Sequence, residues 1–352
     1  MAQGADEGRG LVTGMIIRGQ GHLAVMSDKT APARRLLRSA CLLLLLPTAQ
    51  VDAWAAEPRS FHAPPQAAFV GYTVSTFSST FVAAEVDTAN TAKPGFKWYP
   101  YRFFGSRPKL ESIVLDRDAG VTLLGDTTGP NGELASATPK DTSAKFAGTV
   151  FGGGGYFEAT LKFDPEDVMR TDFKGWPSWW SMAIEHMANL ETRQWPGQPN
   201  GYEHFIEADF FEYNLKEYTE KGKLNYFVGA LHDWFGPPAG SYKELALSSK
   251  IFIREVPADT DFTQFHKYGF LWVPATKTRD GYAEHYFDDR RVGRRIAWKL
   301  NAGEEPPPRP PWLFSIIDRN HLVLILGTGP NQPMTVRSVN VWQASDTHNL
   351  MR

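Results

Sequence analysis

His204-Phe205-Ile206-Glu207-Ala208-Asp209-Phe210-Phe211-Glu212-Tyr213 sets three carboxylates inside one apolar, aromatic run. Aromatic residues suit a pleated, half-buried surface, and Gly201 and Asn214 punctuate the run, so it reads as a β-strand. Strands seldom carry three acids so close together, because a buried unpaired charge is costly and shifts its own pKa instead. Spacing alone is weak support. With 39 acids in 352 residues, a triplet at these offsets is expected roughly 0.5 times per chain, so context has to decide. Side chains alternate along a strand, which puts Glu207, Asp209 and Phe211 on one face and Glu212 on the other. One extra residue at or near Phe210-Phe211, a β-bulge, would return Glu212 to the other two acids. The sequence therefore predicts a bulge there if the three carboxylates act together, and paired carboxylates with split pKa values are the chemistry of glycoside cleavage.

The rest of the chain supplies the context. A net charge of −2 and the absence of any basic run interleaved with aromatics exclude the footprint of a nucleic-acid partner. Aromatic residues make up 13% of the chain, with 11 Trp, while 31 Gly and 25 Pro punctuate it densely. That combination suits many strands joined by turns. Short apolar or alternating runs recur at Ser112–Leu115, Val121–Leu124, Gly155–Phe163, Trp179–Glu185, His204–Tyr213, Leu224–Leu231 and Ile251–Val256. They continue at Phe265–Pro274, Tyr282–Phe287, Leu313–Asp318, His321–Leu326 and Thr335–Gln343. Regular spacing of this kind predicts an all-β, antiparallel sandwich or barrel. The one short helical turn expected is Pro165–Arg170, and no internal repeat is visible.

Residues 34–55 read as a secretory signal. Arg34, Arg35 and Arg38 form its charged part, Leu42–Leu46 its apolar part, and Ala53-Trp54-Ala55 a small-x-small cleavage site. The apolar run is too short to span a bilayer, so the expected mature form is secreted or periplasmic, with no membrane segment. Met26 is a candidate initiator, making residues 1–25 an over-long start. Cys41, the only cysteine, lies in this segment, which leaves the mature chain without disulfides or thiol chemistry. Residues 56–80 read as a linker or disordered start, residues 81–345 as one catalytic domain, and residues 346–352 as a tail. A monomer is expected.

In order along the chain, several segments share a family pattern. Glu207-Ala208-Asp209-Phe210-Phe211-Glu212 resembles the Glu-x-Asp-x-x-Glu signature of glycoside hydrolase family 16, in the variant with one extra residue seen in laminarinases and agarases. Gly155-Tyr156-Phe157-Glu158-Ala159 looks like that family's Gly-Tyr-Phe-Glu-Ala strand, and Gly175-Trp176-Pro177-Ser178-Trp179-Trp180 like its Gly-x-Trp-Pro-Ala-x-Trp segment. Phe265-His266-Lys267-Tyr268-Gly269-Phe270-Leu271-Trp272, Tyr286-Phe287-Asp288-Asp289 and Pro333–Trp342 are similar to three later strands. The resemblance covers about residues 80–343. It implies a jelly-roll sandwich of the concanavalin A-like type with a cleft on its concave sheet. It also implies Glu207 as nucleophile, Glu212 as general acid/base and Asp209 as the helper between them. Thr160 in place of the family's frequent Arg, Ser178 in place of Ala, and Asp289 in place of a turn Gly are departures, and none removes an acid.

The activity this implies is retaining, endo-acting cleavage of a polysaccharide, with a β-1,3- or mixed-linkage glucan as the default substrate. A transglycosylase, or a non-catalytic lectin on the same sandwich, are the alternatives. Trp176, Trp179, Trp180, Trp195 and Trp234 are candidates for stacking on sugar rings, with Trp176, Trp180 and Trp234 placed in the site, although at least one of the adjacent Trp179 and Trp180 is expected to face the core. His232 falls where the family often has a cleft histidine; a sugar contact and a structural role are both open. Residues 187–203 and 232–250 are expected to wall the cleft. No cofactor is expected: the nine His include no His-Glu-x-x-His pair, so no metal site can be named. The resemblance leaves room for a structural calcium, without a ligand loop to assign to it.

Overall fold

The computed structural model describes residues 62–101, 108–125, 132–140, 145–170, 172, 176–188, 202–237, 245–301, 309–327, 333–347 and 349–352. The signal-like segment, with Met26 and Cys41, lies outside these residues, as do 189–201 and 238–244 of the two expected cleft walls. The strands are β1 (Val74–Ser79), β2 (Tyr99–Pro100), β3 (Ile113–Asp116), β4 (Gly120–Leu123), β5 (Leu134–Ala135) and β6 (Ala137–Pro139). They continue as β7 (Phe146–Val150), β8 (Gly155–Phe163), β9 (Ser178–Ala183), β10 (Glu203–Glu212), β11 (Tyr226–Gly236) and β12 (Ala246–Glu255). The last six are β13 (His266–Val273), β14 (Gly281–Phe287), β15 (Arg290–Trp298), β16 (Leu322–Leu326), β17 (Met334–Gln343) and β18 (Leu350–Met351).

These strands form two large sheets. One has the order β15-β14-β13-β8-β17-β4-β3, with β1 also paired to β17; the other runs β12-β11-β10-β9-β16-β5-β2. Every ladder between them is antiparallel. Sequential hairpins such as β10-β11-β12 alternate with long returns such as β8 to β17 and β9 to β16, the connectivity of a jelly roll. The main core fills the space between the sheets: Phe157 and Leu161 of β8, Ala208 and Phe210 of β10, Phe270 and Trp272 of β13, and Val339 and Val341 of β17. Phe210 stacks on Phe157 at 5.6 Å and on Phe270 at 4.4 Å, so β10 is clamped to both neighbours across the core. A second apolar cluster lies on the other face of the seven-stranded sheet. There Trp180, Met182, Val323 and Ile325 pack with Ala137, Phe146, Val150 and Leu350 of the small sheet β18-β7-β6. That small sheet covers the β9–β16 half of the face and leaves β10, β11 and β12 for the acids.

The expected bulge is present. Asp209 pairs with Ala230 and Glu212 with Val228, so Phe210 and Phe211 together oppose Gly229 alone. The register with β9 shifts at the same place, between Asp209 and Phe211. Both phenylalanines point into the core, where Phe211 lies 4.2 Å from Tyr268. Gly229 makes room for this arrangement: a Cβ there would come within 2.2 Å of His285 Nε2 and 2.5 Å of Cδ2. Gly229→Ala is therefore expected to destabilise the chain by about 1–3 kcal/mol in urea unfolding. An unchanged midpoint would contradict this packing.

Three expectations are corrected. Residues 56–80 are not a linker over their described part, because Pro65–Ala68 forms a helical turn and β1 adds to β17 along Val74–Ser79. Phe77 of β1 is 6% exposed against Trp98 and Phe151, which anchors a segment whose Ala, Ser and Thr content hides its pattern. The tail is not free either, since Leu350 and Met351 pair with Val150 and Thr149. Leu313–Asp318 is not a strand: Ser315–Arg319 is a 3-10 turn entered through Phe314 at φ +74°. Side-chain anchors replace a ladder there, with Phe314 N–H donating to Asp233 and the Asp318 carboxylate accepting from Trp272, Trp298 and the Ala275 N–H. The turn at Asp288-Asp289 holds both residues at positive φ, 44° and 64°, the backbone a two-residue hairpin favours.

Candidate active site

Strand β10 lies between β11 and β9 in the seven-stranded sheet, with Ala208 in the core and Glu207 and Asp209 facing away from it. The bulge adds Glu212 to that outward face. Each acid has a defined donor. Trp234 Nε1–H donates to Glu207 Oε2 at 2.8 Å, and Trp176 Nε1–H donates to Glu212 Oε1 at 2.7 Å. Asn214 Nδ2–H donates to the other Glu212 oxygen at 3.0 Å. His232 Nε2 lies 3.0 Å from Asp209 Oδ2, and its Nδ1 lies 2.6 Å from Ser249 Oγ on β12. Among the described residues, no Lys or Arg forms an ion pair with any of the three acids.

Charge inside this cluster is therefore poorly compensated. Asp209 is 2% exposed, and burial pushes its carboxyl well above the usual carboxylate range. Burial raises Glu207 in the same way, helped by the negative charge of Asp209, while His232 and the Trp234 N–H act against the rise. Burial and then the Asp209 charge push Glu212 up to about 8, against the donors Trp176 and Asn214 and the nearby His232. Three carboxyls that resist ionisation side by side hold at least one proton at neutral pH. The cluster can thus keep a proton donor beside whichever of the three carboxyls ionises first, and acid-assisted nucleophilic displacement needs such a pair.

The expected stacking residues separate. Trp176 and Trp234 reach the acids directly, as does His232. Trp180 sits on the acid-bearing face, opposite Asp209 in the ladder, but it is only 2% exposed and its Nε1–H donates to the Gly327 carbonyl at 3.1 Å. It is floor packed into the second cluster, not an open platform for a sugar ring, because the small sheet covers that side. Trp179 is the core member of the pair, 5.1 Å from Phe210. Beside Trp234, a row of parallel rings runs along the same face. Phe205 lies 6.2 Å from Trp234 at 11°, and His186 lies 3.8 Å from Phe205 at 10°, with its Nδ1 2.8 Å from Glu203. Asn214, Ser249, Glu203 and His186 were not singled out by sequence. Asn214 stood out only as the residue ending the strand; the other three carry no local signal. Among the described residues, no group of three or more His, Cys, Asp or Glu is placed to hold a metal ion, and no helix is long and apolar enough to cross a membrane.

No protein-family model matches the chain, and no curated protein matches it. Among solved structures it is similar to a glycoside hydrolase family 16 endo-glucanase from Bacteroides ovatus in complex with G4G3G-2F-DNP. The identity is 13%, over 75% of this chain and 99% of that one, with a TM-score of 0.44. It is also similar to an endo-1,3-beta-glucanase from Streptomyces sioyaensis, at 19% identity over 82% of this chain and 99% of that one, with a TM-score of 0.45. A legume lectin-like domain from Entamoeba histolytica matches at 8% identity over 68% and 87%, with a TM-score of 0.32. The assignment of an antiparallel sandwich rests on the two sheets of this chain themselves.

Proposed function

We propose that this chain is a retaining, endo-acting β-glycanase, with β-1,3- or mixed-linkage glucan as its default substrate. The observation that carries the reading is the bulge at Phe210-Phe211, which puts Glu212 on the face of Glu207 and Asp209 among indole and amide donors. A plain binding surface has no need of three mutually repelling carboxyls at one point. In the proposed reaction, ionised Glu207 attacks the anomeric carbon while protonated Glu212 gives its proton to the departing glycosidic oxygen. Water, deprotonated by the same Glu212, then opens the glycosyl-enzyme and regenerates both groups. A sugar hydroxyl in place of that water gives transglycosylation. Asp209, bonded to His232, favours a proton on its neighbours through the negative charge it carries when ionised. Incubation with β-1,3-glucan, mixed-linkage glucan, agarose and carrageenan is expected to release new reducing ends from at least one polymer, with mid-chain cuts visible by size exclusion. Binding to a polymer with no new reducing ends at any pH would favour the lectin reading.

A further inference from the structure

On the core side of β10, behind the acids, Arg254 of β12 is 1% exposed inside a sandwich filled with Phe and Trp. Its Nη2 lies 2.8 Å from His285 Nδ1, and its Nη1–H donates to the Arg294 carbonyl at 3.3 Å. No Asp or Glu among the described residues pairs with it. Burying an unpaired cation is costly, and an apolar side chain of similar volume would serve packing as well. Burial pulls Arg254 down to about 10, which leaves it charged at neutral pH. Its compensation lies in these two hydrogen bonds and in the Phe252 ring, whose centroid is 4.7 Å from the guanidinium carbon.

His285 of β14 is fully buried and turns its second nitrogen, Nε2, to the backbone carbonyl of Asp209 at 3.1 Å. Its partners fix the tautomer. A guanidinium only donates, so Nδ1 accepts; a carbonyl only accepts, so Nε2 carries the hydrogen. Burial, and then the Arg254 charge, pull His285 down to about 3, so the ring stays neutral. The carbonyl it holds belongs to the residue where the β10 ladder is interrupted. Two glycines keep the passage open. A Cβ at Gly229 would meet His285 Nε2 at 2.2 Å, and a Cβ at Gly293 would meet Arg254 Nη1 at 2.1 Å.

We propose that Arg254 and His285 are positioning residues for the acid cluster. Arg254 fixes the tautomer of His285, and His285 holds the Asp209 carbonyl, so the bulge keeps the spacing that sets Glu212 beside Asp209 and Glu207. The relay crosses the sandwich from β12 through β14 to β10 and touches no substrate. It rests on the reading of the acids as a glycosidase site.

The test compares His285→Leu with His285→Gln in the full chain, assayed below the melting temperature of both. Leu removes both hydrogen bonds, and kcat is expected to fall roughly tenfold to a hundredfold with KM changed less than about twofold. Gln can donate to the carbonyl and accept from Arg254, and is expected to restore kcat to within about threefold of the wild type. Equal losses in both variants, or a Leu variant with wild-type kcat, would overturn the relay. Should the Leu variant not fold, a Gln variant that has lost more than about tenfold in kcat still overturns it. Nitrogen NMR of the wild-type chain adds an arm that needs no turnover. His285 is expected as the Nε2–H tautomer, without titration between about pH 5 and 9, and the opposite tautomer or a titration would refute the relay. A wild-type chain that cleaves no glycan refutes the glycosidase reading instead, and shows it before any variant is made.

Discussion

Glu207→Gln is expected to reduce turnover on the best polysaccharide by roughly 10⁴-fold or more while leaving binding within about threefold of the wild type. The amide keeps the shape of the side chain and can still accept from Trp234 Nε1–H, so the floor of the site is preserved. What it loses is the anionic oxygen, and an amide oxygen is too weak a nucleophile to form the glycosyl-enzyme. Loss of folding is separated from loss of the nucleophile by a second variant. Glu207→Ala opens space where a small anion such as azide can attack the same carbon, and the product then has the anomeric configuration opposite to that of the starting bond. Recovery of cleavage with azide supports the role of Glu207. Appreciable turnover by Glu207→Gln, without any added anion, would remove Glu207 from it.

Glu212→Gln is expected to cost roughly 10²–10⁴-fold on a polysaccharide, whose leaving oxygen needs a proton. A glycoside with a leaving group that departs unprotonated should lose far less in the first step and should accumulate the covalent intermediate as a burst. The pH dependence carries a second signature. Folding raises the Glu212 pKa from 4.5 to about 8, so the proton donor survives to near pH 8 and activity falls as pH rises through that value. The basic limb should disappear in the variant. By the same linkage, the stability contributed by neutral Glu212 is complete below about 4.5 and is lost as pH rises through about 8. A variant that keeps the wild-type basic limb would assign that limb to another group.

The sequence revealed much of this site because its main device is parity. Three acids at offsets of two and three cannot share one face of a regular strand, so the spacing itself asks for a bulge, and the β10 register supplies it. Trp176, His232 and Trp234 were visible as polar-edged residues in aromatic company near the acids. For Trp180, alternation tells which face the side chain takes, not what covers that face. The covering strands β6 and β7 are short and rich in Ala, Gly and Thr, and β18 has only two residues, so none of them announces itself. β15 was hidden by its charge: Arg290, Arg291, Arg294 and Arg295 mask an edge strand that buries only Ile296 and Trp298. Arg254 and His285 lie 31 residues apart in chain order, and neither is near β10 in sequence. Their meeting depends on how the two sheets face each other, and no local pattern encodes that.

The most direct measurement of the central claim is proton NMR of the first-formed reducing end, recorded before mutarotation, during cleavage of the preferred β-glucan. A Glu207 that attacks and a Glu212 that donates and then deprotonates water give two displacements, so the first product anomer is predicted to be β. A first-formed α-anomer would mean a single displacement by water and would contradict the roles assigned to both carboxylates.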